Sequence, residues 1–211
     1  MIKKIKFLFV IFVLSFFLPT TLLFSGSRDD TSFESGAKEK KLGFEHKERD
    51  VIDIIRKRLL RDIEMGNIDN VKTFLRNGND LNFISSNGLN PFTHTATVNN
   101  FELLKFFLNE IEVNIDTTDA LGNTALINAS DKGHVEIVDF LINNGADINY
   151  QNKQGQTPAM KAAEKNNFYI IKLLLDKNAD LTKSDYTGRT LKEIAENSRD
   201  KRILKLLNEK I

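Results

Sequence analysis

Cysteine and tryptophan are both missing from the 211 residues, and histidine and proline occur three times each. Without cysteine there can be no disulfide, no thiolate metal site, no cysteine nucleophile and no acylated lipoprotein cysteine. Neither sign of charge predominates: 30 Lys and Arg stand against 29 Asp and Glu, a formal net charge of +1. That balance argues against the basic excess of a nucleic-acid binder and against an acidic tail. No H-x-x-x-H pair, G-x-S-x-G elbow or phosphate-cradling glycine loop occurs. No catalytic residue, metal ligand or cofactor site is therefore expected.

The chain begins with a basic and then an apolar stretch. Lys3, Lys4 and Lys6 precede the run Phe7 to Leu18, broken only by Ser15, and Ser25, Gly26 and Ser27 close the segment. This is the pattern of an export signal of bacterial type over residues 1–27. Cleavage after Ser25 or Gly26 leaves bulky Leu23 or Phe24 at the −3 position. The alternative is an uncleaved anchor over residues 7–24, 18 residues long and at the lower limit for a span. Either reading places the rest of the chain in the periplasm or envelope. Removal of the signal takes the three lysines with it and moves the net charge from +1 to −2. Residues 28–50 mix charge with Ser and Gly, carry few apolar side chains and read as a flexible linker.

From Val51 onward the chain repeats. The glycines Gly88, Gly122, Gly155 and Gly188 are spaced by 34, 33 and 33 residues. A turn recurs as Met65-Gly66-Asn67, Val98-Asn99-Asn100, Lys132-Gly133-His134 and Lys165-Asn166-Asn167. After each turn comes an apolar triplet at helical spacing, such as Val138, Leu141 and Ile142. Helix ends recur as Asn144-Gly145-Ala146-Asp147 and Lys177-Asn178-Ala179-Asp180, a left-handed C-cap signal. One copy departs: residues 109–114 lack Gly and hold one extra residue, where a local bulge is expected. Thr124, after a Leu121-Gly122-Asn123 turn, can cap the helix that follows it. The carboxylates Asp116, Asp119, Asp147 and Asp180 keep the spacing of the repeat and read as braces of turns, not as an acid–base pair. His134 reads as a ring bonding backbone, while the bonding of His94 is left open.

With these residues laid out, the chain resembles the ankyrin-repeat family from about Val51 to Ile211. The opening motif of that family is nowhere intact, surviving as Asn90-Pro91-Phe92-Thr93, Thr124-Ala125-Leu126-Ile127, Thr157-Pro158-Ala159-Met160 and Thr190-Leu191-Lys192-Glu193. The resemblance implies an all-α solenoid of helix–turn–helix units with β-turn fingers. Five units are expected, at about 51–82, 83–116, 117–149, 150–182 and 183–211, the first and last being caps with polar outer sides. It also implies where a partner would bind, on finger tips and the first-helix face of the concave side. Carried over by position, the tips offer Leu89, Leu121, Asn123, Lys153, Gln154, Gln156, Tyr186 and Arg189. The first helices offer Thr97, Asp131, Lys132, Glu164 and Lys165. Leu89, Leu121 and Tyr186 stand out as apolar or aromatic where solvent is expected.

The function implied is a noncatalytic protein–protein interaction module, exported to the periplasm or envelope, monomeric and touching a membrane only through its N-terminal segment. Two other readings stay open: a secreted or surface effector that binds a host protein, and an accessory subunit that protects or regulates an envelope enzyme. No nucleic-acid partner and no cofactor are expected. Each internal unit would bury Leu and Ile side chains worth ~1.5–3 kcal/mol apiece against its neighbours, so stability is a nearest-neighbour sum. Leu141→Ala should then cost about 2–5 kcal/mol, and Leu207→Ala, in a cap with one neighbour, less. Chemical denaturation of the two variants checks this, and equal losses would contradict stacking.

Overall fold

The computed structural model describes the backbone of residues 33–210, with side chains from Arg49 onward. The segment read as an export signal or anchor lies outside the described residues. No helix among the described residues is long and apolar enough to cross a membrane. The chain divides into two units, residues 1–46 and 47–211. The repeats and the core belong to the second.

Ten helices follow one another among the described residues: α1 (Phe33–Glu64), α2 (Ile68–Arg76), α3 (Pro91–Thr97), α4 (Phe101–Glu110), α5 (Ala125–Lys132), α6 (Val135–Asn143), α7 (Pro158–Glu164), α8 (Phe168–Asp176), α9 (Leu191–Glu196) and α10 (Lys201–Lys210). They form antiparallel pairs in two layers. The first helices α3, α5, α7 and α9 pack in series, and the second helices α6, α8 and α10 do likewise. No strand occurs among the described residues. The fingers contribute two isolated bridges, Thr118 with Thr124 and Ser184 with Thr190. The all-α solenoid expected from the repeat is the architecture observed.

Local chemistry explains each boundary. Asn90, Thr124, Thr157 and Thr190 each accept a backbone N–H at the start of a first helix, and Pro91 and Pro158 occupy the first helical position. α1, α3, α5 and α7 each lead into a residue in the left-handed region, Gly66 at φ 70°, Asn99 at 59°, Gly133 at 84° and Asn166 at 60°, whereas α9 ends on Asn197 at φ −85°. Gly and Asn are the residues that adopt this conformation at least cost. The backbone N–H that follows then bonds five residues back, from Asn67 to Asp62, Asn100 to Thr95, His134 to Ala129 and Asn167 to Ala162. Between the layers lie the side chains that cannot be buried by one unit alone, among them Phe92, Leu103, Phe107, Leu126, Ile137, Leu141, Met160, Ile170 and Leu174. Ala129, Ala162 and Ala195 share one repeat position and are fully buried, which fits a close approach of helices there.

Three expectations change. The bulge predicted at residues 109–114 takes the form of an extra helical residue: α4 has 10 residues against 9 in α6 and α8, and Glu112 carries the left-handed φ of 54°. Its closing bond, Val113 N–H to Phe107 O, reaches six residues back and is long at 3.4 Å. The helix expected from near Val51 begins at Phe33, so most of the supposed linker is helical. Residues 33–50 are rich in Lys and Glu and contain no Pro, a composition compatible with a helix although Gly36 and Gly43 weaken it. The outer side of the first unit is mixed, with exposed Lys57, Arg58 and Arg61 as expected but exposed aliphatic side chains beside them. Val51, Ile52, Ile54 and Ile55 on α1 are 41–65% exposed. The opposite end fits the expectation, because exposed Lys192, Glu193 and Glu196 take the register of buried Leu126, Ile127 and Ser130.

Adjacent fingers are tied by one backbone bond each, from Ala120 N–H to Gly88 O at 3.0 Å, Lys153 to Leu121 at 3.1 Å and Tyr186 to Gln154 at 2.9 Å. That approach leaves no room at the finger glycines. A Cβ on Gly155 would lie 2.8 Å from Tyr186 N and 2.6 Å from its ring, whereas one on Gly188, in the last finger, would meet nothing within 4 Å. Both glycines have positive φ, 76° and 86°. Gly188→Ala should therefore cost about 1 kcal/mol from backbone strain, and Gly155→Ala distinctly more. Urea denaturation midpoints compare the two.

Candidate functional site: the finger and first-helix face

Each finger is built on one short polar residue that bonds its own backbone. Asp119 Oδ1 accepts N–H bonds from Leu121 and Asn123, Asn152 Oδ1 from Gln154 and Gln156, and Asp185 Oδ1 from Thr187 and Arg189, all at 2.9–3.0 Å. In the first finger Ser85 does the same through its hydroxyl, which accepts from Leu89 N–H. These Asx-type turns hold the tips in register with the first helices. Asp119, one of the carboxylates read as braces, has this role. Its second oxygen also accepts from Asn128 at 3.1 Å.

The tip residues separate into two groups. Leu121 is 56% and Tyr186 74% exposed, and Lys153, Gln154 and Arg189 are exposed beside them. Three others depart from expectation. Leu89 is half-buried and packs against the core. Asn123 is buried, with its Oδ1 accepting from Asn152 Nδ2 of the next finger at 2.8 Å. Gln156 is buried and donates to Glu164 Oε1 at 2.8 Å. Their short polar or apolar side chains gain more from bracing neighbouring elements than from solvent, so these three form the support of the face rather than its outer surface.

On the first helices Asp131, Lys132, Glu164 and Lys165 come together in a charged network. Asp131 is shared by Lys161 at 3.3 Å, Lys132 at 3.4 Å and Lys165 at 3.9 Å. Glu164 receives Lys161 at 3.4 Å, Arg189 at 3.5 Å and Gln156. Thr97 is partly buried at the other end, where its hydroxyl donates to Thr93 O and its carbonyl accepts from His134 Nε2 at 3.1 Å. His134 thus bonds backbone as expected. His94 meets the Glu64 carboxylate at 3.0 Å.

Lys161, Asn128 and Arg199 were missed as residues of this face. The signal for the first two was available, since they share the register of His94 one or two units earlier. Arg199 lines a cleft of about 470 Å³ between α7 and α9 together with Glu164, Lys165, Asn166, Arg189 and Asn197. No group of three or more His, Asp or Glu that could hold a metal ion occurs among the described residues.

Helix pairs stacked in two layers, with fingers projecting beside the first helices, define a solenoid class whose surface varies while its frame repeats. Residues 59–152 match ankyrin repeats in a three-copy form, and residues 141–195 match ankyrin repeats in a many-copy form. These matches together run from residue 59 to 195, and the chain belongs to the ankyrin-repeat family. Among curated proteins it is similar to ankyrin repeat domain-containing protein 29 of Danio rerio, 48% identical over 58 residues, which is 28% of this chain and 20% of that protein. It is also similar to the serine/threonine-protein kinase TNNI3K of Mus musculus, 44% identical over 50 residues, 24% of this chain and 6% of the kinase. The chain thus spans a fifth or less of the length of these relatives. Repeats of this family are interaction modules and generally noncatalytic.

Asp185 makes the electrostatics of the last finger testable. Burial opposes its charge, but the Thr187 hydroxyl, the Arg189 guanidinium and the backbone N–H groups of Arg189 and Thr187 outweigh burial and hold the carboxyl at about 2. A carboxyl depressed in the folded state stabilises above its unfolded value, near 3.8, and that contribution is lost as pH falls toward 2. Asp185→Asn should be less stable than the parent at neutral pH, with the gap closing between about pH 4 and pH 2. Thermal denaturation across that range measures it.

Proposed function

We propose that this protein is a noncatalytic interaction module that holds one protein partner along its finger tips and first-helix face. The observation that carries this reading is the pairing of Leu121 and Tyr186, both more than half exposed, with the charged network around Asp131 and Glu164. Exposed aromatic and apolar anchors beside desolvatable charge are what interface energy is concentrated in, and here they stand on fingers braced from behind by Asp119, Asn152 and Asp185. The proposal includes export to the periplasm or envelope. It rests on Lys3, Lys4 and Lys6 ahead of the apolar run Phe7 to Leu18, and residues 7–24 serve as a membrane anchor if the signal is retained.

A photo-crosslinking residue at position 186 in the full chain tests the site, with position 169 as its control. Tyr169 is 67% exposed on α8 in the second-helix layer. The expected result is a protein adduct from position 186 that is absent from position 169 and lost when Leu121→Asp is added. Equal adducts at both positions would refute the face. Fractionation with N-terminal sequencing tests export, and a soluble cytoplasmic chain that begins at Met1 would refute it.

A further inference from the structure

Ion pairs on this face, those of Lys161 apart, are lopsided in depth. The Asp131 carboxylate is 16% exposed, while Lys132 and Lys165, which share it, are 50% and 53% exposed. Glu164 is 26% exposed against 50% for Arg189, and the Asp185 carboxylate that also binds Arg189 is 2% exposed. The anions are sunk between elements and the cations reach outward. Two more cations meet no carboxylate among the described residues: Lys153 Nζ donates to the Ala120 carbonyl at 2.8 Å, and exposed Arg199 borders the α7–α9 cleft. Of the remaining acidic side chains of α9, Glu193 is held at the base of the last finger, where its Oε2 accepts from the Thr190 N–H and hydroxyl, and Glu196 takes the register of Ser130 at the end of the stack. Glu64 stands beside His94 in the first units. Over the third to fifth units a partner therefore meets positive charge, although the chain as a whole carries only +1.

Resting on the reading of this face as a partner site, we propose that its third to fifth units receive an acidic segment of the partner protein, one carboxylate of which enters the α7–α9 cleft between Lys165, Arg189 and Arg199. The cleft, about 470 Å³, admits a side chain and not a folded domain. Leu121 and Tyr186 then cover the apolar part of the same segment. Lys161, at 19% exposure, orders Asp131 and Glu164 and stays behind the contact.

Selection of a displayed random-peptide library on the full chain tests this. The expected outcome is enrichment of peptides in which Asp and Glu exceed Lys and Arg. Their affinity should fall about tenfold or more in Lys165→Glu/Arg199→Glu, in line with the loss of close charge pairs at an interface. It should also fall on raising salt from about 0.1 M to about 1 M, which shortens the screening length from roughly 10 to 3 Å. Both substitutions fall on exposed side chains. The control Lys172→Glu/Lys205→Glu, on the second helices, should leave affinity unchanged. Neutral or basic peptides that are lost in Tyr186→Ala but indifferent to charge reversal would overturn the acidic segment and leave the face standing. Failure to enrich any peptide sensitive to Tyr186→Ala would overturn the face and this inference with it.

Discussion

An α-helix ends on carbonyls that its own turns cannot satisfy, and in this stack the next unit supplies the missing donors. Asn100 Nδ2 donates to Ile63 O at 3.3 Å, His134 Nε2 to Thr97 O at 3.1 Å and Asn167 Nδ2 to Ser130 O at 2.7 Å, each across 37 residues. Asn and His recur at this position because both place an N–H at the end of a short side chain. A first helix is completed only when its successor is in place. Hydrophobic burial follows the same rule, since Leu126 and Met160 of internal units are buried in one core that runs through the stack. At the last junction the polarity reverses: Asn166 Oδ1 accepts from the Ser198 hydroxyl and from the backbone of Arg199 and Asp200.

That dependence makes the two ends different problems. The C-terminal end solves its problem with polar substitution, Lys192, Glu193 and Glu196 replacing the apolar residues that an internal unit would bury. A cation over a ring adds to it, with Arg202 4.5 Å from the centre of Phe168. At the N-terminal end the finger is replaced by the continuous helix α1. Its Leu59, Leu60 and Ile63 enter the core while Val51, Ile52, Ile54 and Ile55 stay exposed. The frame is thus closed by charge at the C-terminal end, while the N-terminal end mixes exposed cations with exposed aliphatic side chains.

Most of the frame was legible in the sequence because each of its parts has one chemical solution. A helix that ends in the left-handed region calls for Gly or Asn, and Gly66, Asn99, Gly133 and Asn166 all sit there. A finger that touches the next one calls for Gly, and Gly88, Gly122 and Gly155 satisfy it. Where several solutions exist, legibility stops. Whether residues 33–50 continue a helix depends on propensities of a few tenths of a kcal/mol each, which a charged composition does not decide. The extra residue before Glu112 was visible, but helix extension and looping out are near-degenerate ways to absorb it. At the tips, the repeat identifies which residues belong to a finger and not which way each side chain turns, so half-buried Leu89 and buried Asn123 and Gln156 looked the same as exposed Leu121 and Tyr186.

The face itself follows a different logic from the frame. His94, Asn128, Lys161 and Ile194 occupy one register in four successive units, and they have four chemistries: a ring on a carboxylate, an amide bracing Asp119, a cation shared by Asp131 and Glu164, and a buried aliphatic side chain. Nothing in stacking requires them to differ. The position that follows does not vary in this way, because Thr95, Ala129, Ala162 and Ala195 must all remain small. Divergence at a site that packing leaves free, beside uniformity at a site that packing fixes, is what the proposed partner face requires. For the acidic segment proposed above, the sunk carboxylates and outward cations of the third to fifth units are the local form of that requirement.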